Sequence, residues 1–200
     1  ILLLLLLYQH KYRQQNGKVV ITFSVTDKMK KLAELYGQEV EVTKIGFKYI
    51  AEIMAREDVI VGGEESGGLA VKGHIPERDG IWIALMILEF MAKTGKSIEA
   101  LIQEVYDLVG PFDYDRDDVH VLEERKQAII QECKTTPYQK FGAYQIDRVE
   151  SIDGFKFYMG EDKWVMIRPS GTEPVLRIYA QAPDLAECRR ILDATRTELG

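Results

Sequence analysis

KVVITFSV, Lys18 to Val25, is the stretch on which the reading of the fold turns. It is β-branched and apolar with almost no polar alternation, which predicts a strand buried on both faces. Thr26 is placed to cap a following helix. Met29, Leu32, Ala33 and Tyr36 share one helical face, and Gly37 ends it. Glu39 to Thr43 reads as a second strand, Phe47 to Arg56 as a helix, and Val59 to Val61 as a third strand. Strand–helix–strand–helix–strand predicts a three-layer α/β domain with a largely parallel sheet.

Upstream of that stretch lies a run of leucines, Leu2 to Leu7. It is far shorter than the roughly 20 apolar residues that span a bilayer, and it has neither the basic flank nor the cleavage site of a signal peptide. The expectation is a buried helix cut from a longer chain. Downstream, Ile81 to Ala92 is apolar nearly all round and predicts a deeply buried helix. Ile98, Leu101, Ile102 and Val105 form an amphipathic stripe, which Gly110-Pro111 ends. Asp113 to Asp118 is acidic and reads as a linker. The predicted domains are therefore 1–112 and 113–200.

The second half has a different order. Leu122 to Cys133 predicts a helix, and strands are expected at Tyr144 to Glu150, Phe155 to Met159, Trp164 to Arg168 and Val175 to Gln181. Asp153-Gly154 is a hairpin signal. Asp184 with Glu187 resembles a capping box for a last helix whose inner face is Leu185, Cys188, Ile191, Leu192, Thr195 and Leu199. Hairpin strands flanked by helices predict an α+β domain with an antiparallel sheet.

Composition narrows the function. Apolar residues are 46% of the chain, charged residues 29%, and the net charge is −6. That balance favours neither a nucleic-acid nor a membrane partner. Cys133 and Cys188 have no metal-ligand spacing and read as reduced structural thiols, which points to the cytoplasm.

Two loops carry chemistry. Arg168-Pro169-Ser170-Gly171-Thr172-Glu173-Pro174, with Arg177 after it, joins two predicted strands. It gathers two guanidiniums, two hydroxyls and a glycine amide within ten residues. That donor set suits a phosphate, although a rigid hairpin with incidental polar residues has the same composition. Gly62-Gly63-Glu64-Glu65-Ser66-Gly67-Gly68 follows the third strand, where ligands of α/β sheets bind. Two carboxylates repel phosphate, while carboxylate plus hydroxyl suits a neutral polyol. A glycosidase pair, a metal site or a solvated turn are the alternatives. His74 to Gly80 and Gly46-Phe47-Lys48 flank these loops, each a weak signal alone.

Taken together, the four stretches resemble the α-D-phosphohexomutase superfamily, which includes phosphoglucomutase and phosphomannomutase. Gly63 to Gly67 is similar to the sugar-specificity loop of its third domain, and Arg168 to Pro174 to the phosphate loop of its fourth. The resemblance implies interconversion of hexose 1-phosphate and hexose 6-phosphate through a phosphoserine and a hexose 1,6-bisphosphate. It implies sugar contacts at Glu64 and Ser66, with Gly46, Phe47 and Arg78 beside them. Phosphate contacts are implied at Arg168, Ser170, Gly171, Thr172 and Arg177. The family's Ser-His-Asn-Pro loop is absent; Ser24, Ser66, Ser97, Ser151 and Ser170 all lack it. So is its Asp-x-Asp-x-Asp magnesium loop; Asp113, Asp115 and Asp117 alternate without the glycine-rich surroundings. The implied reading is a part that binds hexose phosphate but has no catalytic serine and no Mg²⁺ ligands, its partner being the N-terminal domains of the same polypeptide. A stand-alone sugar-phosphate-binding module is the alternative.

Overall fold

The computed structural model describes residues 1–135, 138–170 and 174–200. Two compact units are present, Ile1–Gly110 and Pro111–Gly200. Among the described residues no helix is long and apolar enough to cross a membrane.

The first unit is built on four strands, β1 (Lys18–Thr22), β2 (Val40–Thr43), β3 (Val59–Gly63) and β4 (Leu69–Val71). Their order is β2-β1-β3-β4. β1 runs parallel to both β2 and β3, and β4 returns antiparallel to β3. The helices are α1 (Leu2–Leu7), α2 (Lys28–Leu35), α3 (Phe47–Met54), α4 (Gly80–Thr94) and α5 (Ile98–Val109). Two adjacent glycines of β3 reveal the layering. A Cβ on Gly62 would strike Ile50 and Met54 of α3, and a Cβ on Gly63 would strike Leu2 of α1. Consecutive strand residues point to opposite faces, so α1 and α3 cover the two sides of the sheet. The expected three layers are present. The sheet is mixed because β4, too short for a clear sequence signal, closes its edge.

The leucine run is a core helix, with Leu5, Leu6 and Leu7 fully buried. It packs on β3, α2, α4 and α5. It continues as a π-helical turn, Tyr8–Tyr12, and Tyr8 stacks on Phe90 of α4 at 4.6 Å. Glu104 of α5 clamps that turn through Lys11 (2.7 Å) and Tyr12 (2.9 Å), and also binds Lys96 (2.6 Å). Burial pushes the Glu104 carboxyl up, but the three donors outweigh it and bring it down to about 2.

The α4 expectation needs correction. Ile83, Met86 and Phe90 are buried, whereas Ile81, Trp82, Leu85 and Leu88 are exposed. An outer-layer helix that rests on α1 and β4 can bury only one of its faces. The α2 cap also differs slightly. Asp27 is the residue that precedes the helix, and Thr26 Oγ1 accepts from the Lys28 N–H at 3.2 Å.

The second unit runs β5 (Asp113–His120), α6 (Glu123–Thr135), β6 (Lys140–Phe141), β7 (Tyr144–Gln145), β8 (Arg148–Glu150), β9 (Phe155–Tyr158), β10 (Trp164–Pro169), β11 (Val175–Ala182) and α7 (Leu185–Leu199). Five strands form an antiparallel sheet of order β5-β11-β10-β9-β8, and β6 pairs with β7 apart from it. Ile129 and Cys133 of α6 and Cys188, Ile191 and Leu192 of α7 share one core with Val165, Ile167 and Ile178 of the sheet. The Asp184 side chain caps α7 by accepting from the Glu187 N–H at 2.8 Å.

Three sequence expectations fail in this unit. Asp113 to Asp118 is no linker but most of β5, paired along its length with β11. Its alternating carboxylates answer the arginines of α7: Arg189 lies 2.5 Å from Asp115 and 3.2 Å from Asp117, and Arg196 lies 3.4 Å from Asp117. Tyr144 to Glu150 breaks into β7 and β8, which pair with different partners. Leu185, at the first turn of α7, is exposed rather than on its inner face.

Candidate functional site

The three parallel strands of the first unit end at one edge of the sheet. β1 runs out into Ser24, β2 leads to the Gly46 turn that opens α3, and β3 leads to Glu64. Ligands of α/β sheets bind outside such carboxyl ends. The loop from Glu64 to Gly68 is closed on itself, because the Glu64 N–H donates to the Gly68 carbonyl at 2.9 Å and the Gly67 N–H to the Glu64 carbonyl at 3.2 Å. Gly68 leaves room for two neighbouring side chains. A Cβ there would sit 2.8 Å from Glu64 Oε2 and 2.9 Å from Arg78 Cδ. The glycine thus lets Arg78 lie beside the Glu64 carboxylate. The Arg78 guanidinium also lies over the Phe47 ring, 5.3 Å from its centroid.

Four residues singled out in the sequence therefore converge: Gly46, Phe47, Glu64 and Arg78. Burial raises the Glu64 carboxyl above the ordinary carboxylate value, and Glu65 beside it adds to the effect. The Gly46 N–H and the Arg78 guanidinium oppose the shift without cancelling it. Ser66 is exposed on the same loop.

A stability consequence follows from the sign of the Glu64 shift. The unfolded chain releases this proton near the ordinary value, while the folded chain still holds it. Stability contributed at this position is therefore lost as pH rises through the window between the two values. Glu64→Gln keeps an acceptor for the Gly46 N–H and removes the charge. The variant should melt higher than the parent sequence at pH 7, and the two curves should meet near pH 4. Equal melting temperatures at both pH values would show that the carboxylate is unstrained.

Sequence reasoning missed Ser24 as a partner of this loop. It is fully buried, lies 3.3 Å from the Thr22 hydroxyl, and donates to Glu65 Oε2. The signal was its place at the carboxyl end of the central strand. His74, by contrast, is tied into helix capping. Its Nε2 lies 2.8 Å from Asp79 Oδ2, its ring stacks on Trp82 at 4.6 Å, and Asp79 Oδ1 caps α4 by accepting from the Trp82 N–H at 2.9 Å.

In the second unit the β10–β11 hairpin sets Arg168 directly opposite Arg177. Opposed residues of an antiparallel pair project from the same face, so the two arginines leave one face of the sheet from neighbouring strands. Asp153 lies 3.4 Å from Arg168 Nη2, and Asp118 is the register partner of Arg177 on β5. Arg168 Nε is buried without a hydrogen-bond partner among the described residues. Ser170 is buried, and its N–H donates to the Val175 carbonyl at 2.9 Å. Gly171 and Thr172, the other expected phosphate contacts, lie outside the described residues.

Comparison with known proteins adds to this geometry. A family model described as phosphoglucomutase/phosphomannomutase, alpha/beta/alpha domain III, matches residues 1–109, and one described as phosphoglucomutase/phosphomannomutase, C-terminal domain, matches residues 115–198. A phosphoglucomutase/phosphomannomutase of Thermococcus kodakarensis is 30% identical over 177 residues, covering 88% of this chain and 36% of the relative. A phosphoglucosamine mutase of Rubrobacter xylanophilus is 33% identical over 183 residues, covering 90% and 37%. The crystal structure of a candidate phosphomannomutase from Thermus thermophilus superposes with a TM-score of 0.78 at 32% identity, covering 98% of this chain and 40% of that one. The chain thus spans less than half the length of each of these relatives. The α/β/α unit is what the first matched model describes, the C-terminal model falls on the antiparallel unit after it, and the chain belongs to the phosphoglucomutase/phosphomannomutase family, of which it carries domain III and the C-terminal domain.

Proposed function

We propose that this chain is the substrate-binding part of a phosphohexomutase, which interconverts hexose 1-phosphate and hexose 6-phosphate through a phosphoserine and a hexose 1,6-bisphosphate. The observation that carries this reading is the pairing of Arg168 with Arg177. Like charges set opposite each other on adjacent strands are destabilising, a cost that Asp153 beside Arg168 lessens. A phosphate gripped by both guanidiniums turns that cost into attraction. Ser170, Gly171 and Thr172 complete the grip on the phosphate that is not reacting.

At the first unit, Glu64 accepts from sugar hydroxyls and Ser66 exchanges hydrogen bonds with them. Arg78 and the Gly46-Phe47 turn border the ring. Because the bisphosphate must be held in two orientations, hydroxyl contacts that tolerate reversal suit this position.

In this reading the nucleophilic serine and the Mg²⁺ ligands would come from the rest of the parent polypeptide, and the ion would neutralise phosphoryl charge there. Among the described residues no group of three or more His, Cys, Asp or Glu is placed to hold a metal. Alone, the chain binds and does not turn over. Its two buried free cysteines suit the reducing cytoplasm as its location.

Competition among the 1-phosphates of glucose, mannose and glucosamine in the complete polypeptide tests the sugar assignment. Glu64→Gln should alter the ranking of the three sugars by more than it alters affinity for inorganic phosphate. The reverse result rejects the role of Glu64. Turnover of glucose 1-phosphate by the 200-residue chain alone rejects the binding-only reading.

A further inference from the structure

Asn16 is the only asparagine among the 200 residues, and a glycine follows it. That dipeptide carries a reaction of its own. The backbone nitrogen of the following residue can attack the asparagine Cγ, and glycine hinders the attack least because no Cβ stands beside the nucleophile. A new C–N bond closes a succinimide ring. The side-chain nitrogen leaves as ammonia, taking up the proton that the backbone nitrogen gives up. Water then opens the ring at either carbonyl and leaves aspartate or isoaspartate. Water is the one co-reactant.

Asn16 is exposed, so ammonia can leave and water can enter. Gln38, in the turn between α2 and β2, opposes the reaction. The Gly17 N–H, which carries the attacking nitrogen, donates to Gln38 Oε1 at 2.8 Å. Gln38 Nε2 donates to Asn16 Oδ1 at 3.0 Å and to the Tyr36 carbonyl at 2.8 Å. A carboxamide has one oxygen and two N–H groups, and here all three are engaged. One side chain therefore grips the nucleophile and the electrophile and ties both to a third point of the chain. Lys72 fixes the peptide between them, donating to the Asn16 carbonyl at 2.9 Å while it pairs with Asp58 at 2.6 Å. Gly17 is wedged as well, since a Cβ there would meet the Asp58 carbonyl oxygen at 2.8 Å and the Ile60 nitrogen at 2.9 Å. Ring closure must swing Asn16 Cγ onto the Gly17 nitrogen, and with both groups held it waits on a local opening.

We propose that Asn16-Gly17 is a self-modification site, kept closed by the Gln38 carboxamide and open to succinimide formation when that clamp lets go. The site lies at the entry to β1, which pairs with both β2 and β3. Isoaspartate lengthens the main chain there by one carbon, beside the bond from the Lys18 N–H to the Asp58 carbonyl at 2.8 Å. Conversion thus reports the anchorage of an interior strand and then loosens it. The inference goes beyond the mutase reading and does not depend on it.

Peptide mapping of the complete polypeptide tests it. Trypsin cuts after Arg13 and Lys18 and releases the site as Gln14 to Lys18. Mass separates the acid forms from the amide, and elution separates aspartate from isoaspartate. In mildly alkaline buffer the folded parent sequence should convert Asn16 roughly tenfold more slowly, or slower still, than in concentrated guanidinium. Gln38→Ala should raise the folded rate about tenfold, the factor that about 1.4 kcal/mol of lost restraint gives, and leave the rate in guanidinium unchanged. Gln38→Met keeps the length of the side chain and none of its hydrogen bonds. It should behave alike, and it replaces Gln38→Ala if circular dichroism shows that variant unfolded. Equal rates for the folded and the unfolded parent overturn the proposal, because the site is then never closed. A folded Gln38 variant that converts as slowly as the parent overturns it too, because the closure then belongs to the Gly17 wedge and not to Gln38.

Discussion

Arg168→Ala is expected to weaken binding of glucose 1-phosphate by about 1.5–3 kcal/mol, the range for hydrogen bonds to a charged group. That corresponds to roughly ten- to hundredfold in affinity, measured by calorimetric titration of the complete polypeptide. The effect is large because the strand register holds Arg168 in position. Ile167, on the preceding register pair, is fully buried, and β10 is bonded on both sides by β9 and β11. The guanidinium therefore loses little entropy on binding. Removing it leaves Arg177 without its neighbour and the phosphate with one charge fewer. Arg168→Lys should recover only part of the loss, since an ammonium cannot make the bidentate contact. The salt dependence should fall along with the affinity. An unchanged affinity for Arg168→Ala would remove the phosphate assignment, whatever the fate of the sugar loop.

Leu6→Ala should destabilise the protein by about 2–5 kcal/mol, as large-to-small changes in packed cores do. Leu6 is fully buried in a helix that touches the sheet and three other helices. Few positions have so little room to collapse into the cavity left behind. Against a total stability of about 5–15 kcal/mol, such a loss should lower the melting temperature by about 4–20 °C. Leu6→Met, which nearly conserves volume, should cost less than about 1.5 kcal/mol. Thermal melts followed by circular dichroism compare the two. A drop of only a degree or two for Leu6→Ala would mean that the leucine run lies outside the core.

These two residues also show what the sequence could and could not convey. The leucine run was legible because six consecutive leucines have no plausible place but an interior. The β10–β11 hairpin was legible because prolines and a glycine punctuate two apolar strands. The convergence of Gly46, Phe47, Glu64 and Arg78 was not derivable from spacing, since 32 residues separate Gly46 from Arg78 and only the sheet order brings them together. Periodicity misled at α4, because it reports that a face is apolar and not what covers it. Composition misled at β5. Aspartates are poor strand formers by propensity, yet the period of two was present, and arginines more than seventy residues away supply the counter-charges. Ser24 carries no motif in the sequence that ties it to Glu65, since the 41 residues between them are bridged only by the neighbouring strands β1 and β3.

β5 has one further consequence. It lies at the end of the sheet order, so one long side of an eight-residue strand has no neighbouring strand among the described residues. Such an edge is a template on which another chain can add itself, and repeated addition builds fibres. Four aspartates stand along this strand, and Arg116, Arg189 and Arg196 are paired with three of them. A second chain adding itself here would have to strip water from this crowd of charged groups, which natural sheet edges use to discourage such pairing. The same alternation that disguises the strand as a linker makes its open side a poor template for a second chain.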